Sequence, residues 1–186
     1  VVDQRFGVAA QWAQFVGSTR LEFRRLIKTI PFVVITAAAL LNCVGALIFN
    51  STEAFGNTSF PVTYLMLQLI ADTLYSFLIA LITYHAGVLI WEERDNNLDE
   101  VQDALPAPEW PTYAAKFLAL LASLAIIQAV VMAASMLVQY FHHYHRYQVG
   151  LYVVTLFGID FSLFIFLAVL AFFIHVISPN KYVGYF

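Results

Sequence analysis

Charge is what this chain has least of. Of its 186 residues only 11% are Asp, Glu, Lys or Arg, whereas a soluble domain carries roughly 25%. So few charges cannot clothe a water-facing surface when 61% of the residues are hydrophobic, and a soluble globular class is excluded. Cysteine occurs once, at Cys43, which excludes an internal disulfide and leaves the redox compartment open. No GxxxxGK[ST] is present, so the chain has no loop of that kind to cradle nucleotide phosphates. No HExxH is present either, which removes the zinc site of that peptidase class. A secretory signal peptide is not visible: the first apolar run starts near Ile30 and no small-residue cleavage site follows it.

What the chain does have is long apolar runs. Ile30–Phe49, Pro61–Trp91, Tyr113–Tyr140 and Leu151–Ile177 each reach or exceed the roughly 20 helical residues that cross a bilayer core. Their interiors are almost free of charge, with Asp72, Lys116 and Asp160 as the exceptions and His175 near the last end. The runs do not alternate apolar and polar residues, so closed barrels of short strands are excluded and helices remain. The expected fold is all-α and integral to a membrane, with four spanning helices and an amphipathic helix ahead of them.

Nine Lys and Arg residues set the orientation. Arg5, Arg20, Arg24, Arg25 and Lys28 precede the first span, Arg94 and Lys116 flank the central connection, and Lys181 follows the last. Arg146 alone lies in either of the other two connections, a split of eight to one. The positive-inside rule puts both termini and the central connection in the cytoplasm. Connections Asn50–Phe60 and Phe141–Gly150 then face outward.

Residues Trp12–Lys28 read as an amphipathic helix. Trp12, Phe15, Val16, Phe23, Leu26 and Ile27 recur at helical spacing, and Gln14, Ser18, Glu22, Arg25 and Lys28 fill much of the rest. Such a helix lies half-sunk among head groups; the alternative is an extension of the first span, against which Pro31 argues. The outer connection holds Gly56, Asn57 and Ser59, which is loop chemistry. The central connection is acidic, with Glu92, Glu93, Asp95, Asp99, Glu100, Asp103 and Glu109 against Arg94. Asn97 followed by Glu100 forms a capping-box-like pair, so a short helix is expected over Asn97–Leu105. Leu98, Val101 and Leu105 share one face of it, and Pro106 and Pro108 stop it. It presents an apolar edge with acidic flanks to a partner, or is a solvated linker.

Within the spans, Ala125, Ala129 and Ala133, and Ala115 with Ala119, form small-xxx-small series that permit close helix approach. Gln68, Asp72 and Ser76 recur every fourth residue as one polar stripe. A carboxylate at that depth is costly, so Asp72 is expected either in a contact between helices of the bundle or on the lining of a translocation path. Asp160, nearer the outer surface, is expected in a hydrogen-bonded structural role. His142, His143 and His145 can bind a divalent metal at their spacing, but no carboxylate is near in sequence; the alternative is an interfacial aromatic-polar collar.

The stretch Tyr84–Lys116 resembles the ABC-2 type permeases of ATP-binding-cassette transporters. There the second span runs into a charged cluster, a short helix, a proline turn and a lysine opening the third span. The corresponding residues here are Glu92-Glu93-Arg94-Asp95, Leu98 to Leu105, Pro106-Ala-Pro108 and Lys116. The motifs YHAGVLIWEERD, DALPAPEW, KFLAL, GLYVVTLFG and HVISPNKYVGYF are similar to those of large bacterial permeases fused to an M1-type aminopeptidase, as is the opening QFVGSTRLEFRRLIKTIPF. The family's membrane half has six spans and four are present, so the resemblance implies a truncated half ending just after the tail motif at Phe186.

The resemblance implies a permease that forms part of a translocation path, with Gln68, Asp72, Ser76 and Asp160 as candidate lining residues. It implies coupling to a cytoplasmic ATPase subunit through Glu92, Glu93, Arg94, Asp95, Leu98, Val101, Leu105 and Pro106. The other partners implied are the lipid bilayer and a second permease half or homodimer mate. Nucleic acid, a cofactor and catalysis by this chain are not implied. The implied location is the bacterial cytoplasmic membrane. Two alternatives stay open: a proton-coupled secondary transporter using Asp72 and His85, although no inverted repeat or broken helix is apparent, and a membrane anchor for an attached peptidase domain.

Overall fold

A computed structural model of the chain describes residues 8–54, 57–95 and 110–185, with side chains described for 11–52, 59–91 and 110–185. Helix α1 spans Val8–Leu26, α2 Ile30–Asn50, α3 Thr63–Asp95 and α4 Trp110–Phe141. The fourth span is continuous but mixed: α5 Val149–Tyr152, a π-helical segment Val153–Asp160, and α6 Phe161–Ile177. A short α7, Lys181–Tyr185, closes the chain. Among the described residues four helices are long and apolar enough to cross a membrane, at Ile30–Asn50, Thr63–Trp91, Trp110–Phe141 and Val149–Ile177. The loop after α2 holds a two-residue antiparallel ladder, with Glu53 opposite Thr58 and Ala54 opposite Asn57.

The breaks follow from local chemistry. Pro31 sits in the first turn of α2, where its missing N–H costs nothing, and Thr29 ahead of it is extended at φ −68° and ψ 138°. The α6 helix stops at Ile177 because Ser178, extended at ψ 136°, precedes Pro179. The end of α4 is less obvious. His143 adopts φ 59°, the Tyr144 N–H reaches back to the Gln139 carbonyl at 2.9 Å, and the His143 N–H reaches the Tyr140 carbonyl at 3.0 Å. That is the Schellman closure, made here without the usual glycine.

Packing centres on α3, which touches α2 along much of its length, α6 on another side and α4 on a third. Its buried residues Met66, Ile70, Leu74, Leu78, Ile82 and Ala86 recur at four-residue steps. Opposite them stand Ala39, Cys43 and Leu47 of α2, and Leu120, Leu124, Ile127 and Val131 of α4, in one core. Ala115 and Ala119 are buried, as small residues at a close helix contact should be. The Ala125/Ala129/Ala133 series is not used this way: Ala129 and Ala133 are exposed and Ala125 is half-buried. A period of four identifies a face, but not whether this chain covers it.

Helix α1 runs along α4 more extensively than it touches anything else. Its covered face consists of Gln11, Phe15, Ser18, Thr19, Glu22 and Leu26, while Trp12, Val16, Arg20 and Arg24 stay exposed. The apolar stripe therefore divides. Leu26 enters the core and Phe15 meets Trp110 at 6.0 Å, but Trp12 and Val16 remain 56% and 61% exposed.

Candidate functional site

The starts of α2 and α4 and the ends of α3 and α6 meet at one end of the bundle, the terminal end. The starts of α3 and α5 and the end of α4 meet at the other, the hairpin end.

The hairpin half is tied together by side-chain hydrogen bonds. The Gln139 amide, buried on α4, donates to the Pro61 carbonyl at 2.8 Å and lies 3.5 Å from the Thr63 hydroxyl, which fastens the start of α3. Its carbonyl accepts from the Tyr152 hydroxyl at 3.1 Å, and that hydroxyl also meets Ser135 at 2.6 Å. Farther along α4, the Gln128 amide donates to the Leu156 carbonyl at 2.9 Å. The same carbonyl receives the Phe161 N–H, a five-residue step that belongs to the π segment. The wider π turn spreads the local backbone, and Gln128 occupies a carbonyl exposed by it.

Asp160, at the end of the π segment, is 8% exposed and lies beside the Tyr75 hydroxyl of α3. Toward the hairpin end from this contact a cavity of about 340 Å³ lies between α3 and the fourth span, lined by Tyr64, Leu67, Gln68, Ala71, Tyr75, Leu151 and Thr155. Its walls are mostly apolar, with Gln68, Thr155 and two tyrosines as the polar groups.

Gln68, Asp72 and Ser76 do form one stripe, and all three are exposed. The contact expected for Asp72 with another helix of the bundle is not made among the described residues. The reason lies in α3 itself: its core residues Ile70, Leu74 and Leu78 occupy the face turned to α2, α4 and α6, and the stripe lies away from them. Asp72 and His85 do not share a face either. His85 is 1% exposed, with Nδ1 3.0 Å from the Leu81 carbonyl and Nε2 3.4 Å from the Thr29 hydroxyl.

The terminal half is joined by rings. Phe32 meets His85 at 5.6 Å, His85 meets Tyr84 at 5.1 Å, Tyr84 stacks on Tyr185 at 6.2 Å, and Tyr185 meets His175 at 4.9 Å. Two glycines make room for this ladder. A Cβ on Gly87 would stand 2.5 Å from the Tyr185 hydroxyl, and one on Gly184 would overlap the His175 ring. The YHAG and KYVGY words, a hundred residues apart, are thus two sides of one contact. His175 is completely buried and neither ring nitrogen has a well-formed hydrogen bond, although the Thr83 backbone lies close enough to bear on it. Beside the ladder the Lys116 ammonium, 3% exposed, donates to the Leu89 carbonyl of α3 at 2.8 Å.

Of the residues assigned to coupling, Glu92, Glu93, Arg94 and Asp95 form the last turn of α3. Their side chains, and Leu98, Val101, Leu105 and Pro106 altogether, lie outside the described residues. At the hairpin end His145 packs edge-on against Tyr140 at 5.6 Å and near Tyr147 at 6.4 Å, an aromatic collar. No group of three His, Cys, Asp or Glu converges on a metal position among the described residues. Sequence reasoning did not single out Gln128, Ser135, Gln139 and Tyr152. The signal was there, as three uncharged polar residues at buried spacing within an otherwise apolar α4.

No curated protein and no solved structure matches the chain. The family model described as ABC-2 family transporter protein does match it, over residues 20–184. That match takes in all four membrane-capable helices, the Tyr84–Asp95 segment and the tail that folds back onto it. These segments build a multi-pass helical bundle, and the chain belongs to the ABC-2 family of transporter membrane proteins.

Proposed function

We propose that this chain is the permease component of an ATP-driven transporter and that the outward stripe Gln68–Asp72–Ser76 borders the translocation path. The observation that carries this reading is the exposure of Asp72 in the middle of a span. A carboxylate on lipid costs about 2.5–3.5 kcal/mol even on the lenient insertion scale. Such a residue is retained where further protein or a wet cavity covers it, and a second permease half or a second copy of the chain would supply both. The terminal end then faces the cytoplasm of a bacterial inner membrane, in line with the eight-to-one charge split. The ATPase docks on the α3–α4 connection, with Leu98, Val101 and Leu105 as the seat and Glu92 to Asp95 and Pro106 as its stiff root.

Two observations weigh against a proton-coupled carrier. His85 is buried among Phe32, Tyr84 and Thr29 on a different face from Asp72, and no chain of polar groups joins them among the described residues. The anchor reading keeps its support from the likeness to aminopeptidase-fused permeases.

The test is substrate-stimulated ATP hydrolysis by the whole transporter. Asp72→Leu is expected to assemble with its ATPase and lose stimulation by tenfold or so, as removal of a roughly 1.4 kcal/mol interaction would predict, while Asp72→Asn keeps more of it. Val101→Asp with Leu105→Asp is the reference, expected to lose the ATPase itself on co-purification. A more stable and fully active Asp72→Leu transporter would sink the path assignment and put the stripe on lipid.

A further inference from the structure

Helix α1 has three edges with different chemistry. The first, through Phe15, Glu22 and Leu26, is covered by the bundle. The second is apolar and open: Trp12 and Val16 are exposed, and Phe23 and Ile27 continue the same line half-buried. The third is basic. Arg20 and Arg24 stand one turn apart on the exposed side, and Lys28 follows, also exposed, in the turn that leads into α2. The only carboxylate on α1 is Glu22, and it lies on the covered side, lining a small cavity with Thr29 and His85.

Position makes this arrangement informative. Only Ile27–Thr29 separates α1 from α2, whose apolar run begins at Ile30. The end of α1 is therefore held at the depth where hydrocarbon begins, which is the depth of phosphate groups. An open apolar edge with a tryptophan settles toward the acyl boundary, and a neighbouring basic edge then lies among the head groups. Neutral head groups carry no net charge to attract three cations. Anionic ones do, and each Lys or Arg near such a surface contributes about 1 kcal/mol, roughly a fivefold gain in affinity.

We propose that the basic edge of α1, formed by Arg20, Arg24 and Lys28, is a binding site for the head groups of anionic phospholipids. It rests on the reading above only for the choice of leaflet, the cytoplasmic one. Bound there, such lipids fix α1 against α4 and hold the entry to the first span at a set depth.

The experiment uses the whole chain in neutral detergent with fluorescent phosphatidylglycerol and phosphatidylcholine as probes. Wild-type protein is expected to prefer phosphatidylglycerol, and salt should weaken that preference. The triple variant Arg20→Gln, Arg24→Gln, Lys28→Gln should lower phosphatidylglycerol affinity by about 100-fold, three fivefold steps, with phosphatidylcholine unchanged. Arg146→Gln, at the hairpin end, should keep wild-type affinity. Equal binding of the two lipids by wild type would overturn the proposal, and so would a triple variant that keeps its phosphatidylglycerol. If the triple variant keeps the lipid and loses the ATPase instead, the edge is a protein-docking surface and the lipid assignment falls. The lipid assay contains neither ATPase nor transported substrate, so its failure leaves the assignment of Asp72 untouched.

Discussion

The two halves of this bundle solve the same problem by different means. In the hairpin half, helices are joined by hydrogen bonds from Gln128, Ser135, Gln139 and Tyr152 to each other and to backbone carbonyls. In the terminal half they are joined by ring faces, with Phe32, His85, Tyr84, Tyr185 and His175 in one ladder and glycines at the points of closest approach. The difference matters because lipid gives helices no hydrophobic reason to associate. A hydrogen bond is directional but tolerates small shifts of the helices, whereas a ring held against a glycine depends on shape and fails abruptly. The terminal half should therefore be the more brittle under substitution and the hairpin half the more graded.

The largest effect is expected at Gly87. Gly87→Leu drives a side chain into the space of Tyr185, and overpacking of this kind costs about 1–3 kcal/mol. The α7 helix should leave its seat, lowering the thermal midpoint in detergent and opening the Lys181 bond to trypsin. Adding Tyr185→Ala should restore much of the midpoint, because the clash and the ring disappear together. If Gly87→Leu alone leaves both midpoint and trypsin resistance intact, the tail is not docked on α3 and the comparison loses one of its sides.

A smaller effect is expected at Gln139. Gln139→Leu preserves volume but removes the bonds to Pro61 and Tyr152 together. Single interhelical hydrogen bonds in membranes average about 0.6 kcal/mol and reach about 1.7, so a loss of roughly 1–2 kcal/mol is predicted for the pair. Ser135→Ala leaves Tyr152 its bond to Gln139 and should cost less. The reading to make is the unfolding free energy of each variant in the same detergent. A Gln139→Leu loss larger than that of Gly87→Leu would reverse the contrast between the halves.

The four spans were legible because their signal is length and hydropathy alone, and Pro31 marked a break by sterics that no tertiary contact can overrule. The contact between the YHAG and KYVGY segments was not legible. Each stood out as a word, but their pairing needs α6 to return Tyr185 to the level of Tyr84. The facing of the polar stripe was also hidden. Its period placed Gln68, Asp72 and Ser76 together, yet which side of α3 is covered depends on where α2, α4 and α6 settle. The π segment left little trace, since Gly158 can sit in any apolar helix and its partner Gln128 is twenty-eight residues away. The basic edge of α1 was half legible: the charges were plain, but not that Glu22, the one carboxylate of α1, turns to the covered side.

The smallest effect tests the hairpin end where hydrogen bonds, rather than residue type, close a helix. His143 holds φ 59° so that the Tyr144 and His143 N–H groups can satisfy the carbonyls of Gln139 and Tyr140. A side chain with a Cβ pays for that conformation, while glycine adopts it freely. Gly in place of a non-glycine in this region should therefore gain about 0.5–1 kcal/mol, partly offset by the extra freedom of the unfolded loop. His143→Gly is expected to raise the thermal midpoint slightly and to leave the collar of Tyr140, His145 and Tyr147 in place, since His143 makes none of its ring contacts. A fall in the midpoint would mean that the His143 imidazole holds the loop by a contact stronger than the strain it relieves, and the hairpin end would then depend on side-chain shape as the terminal end does.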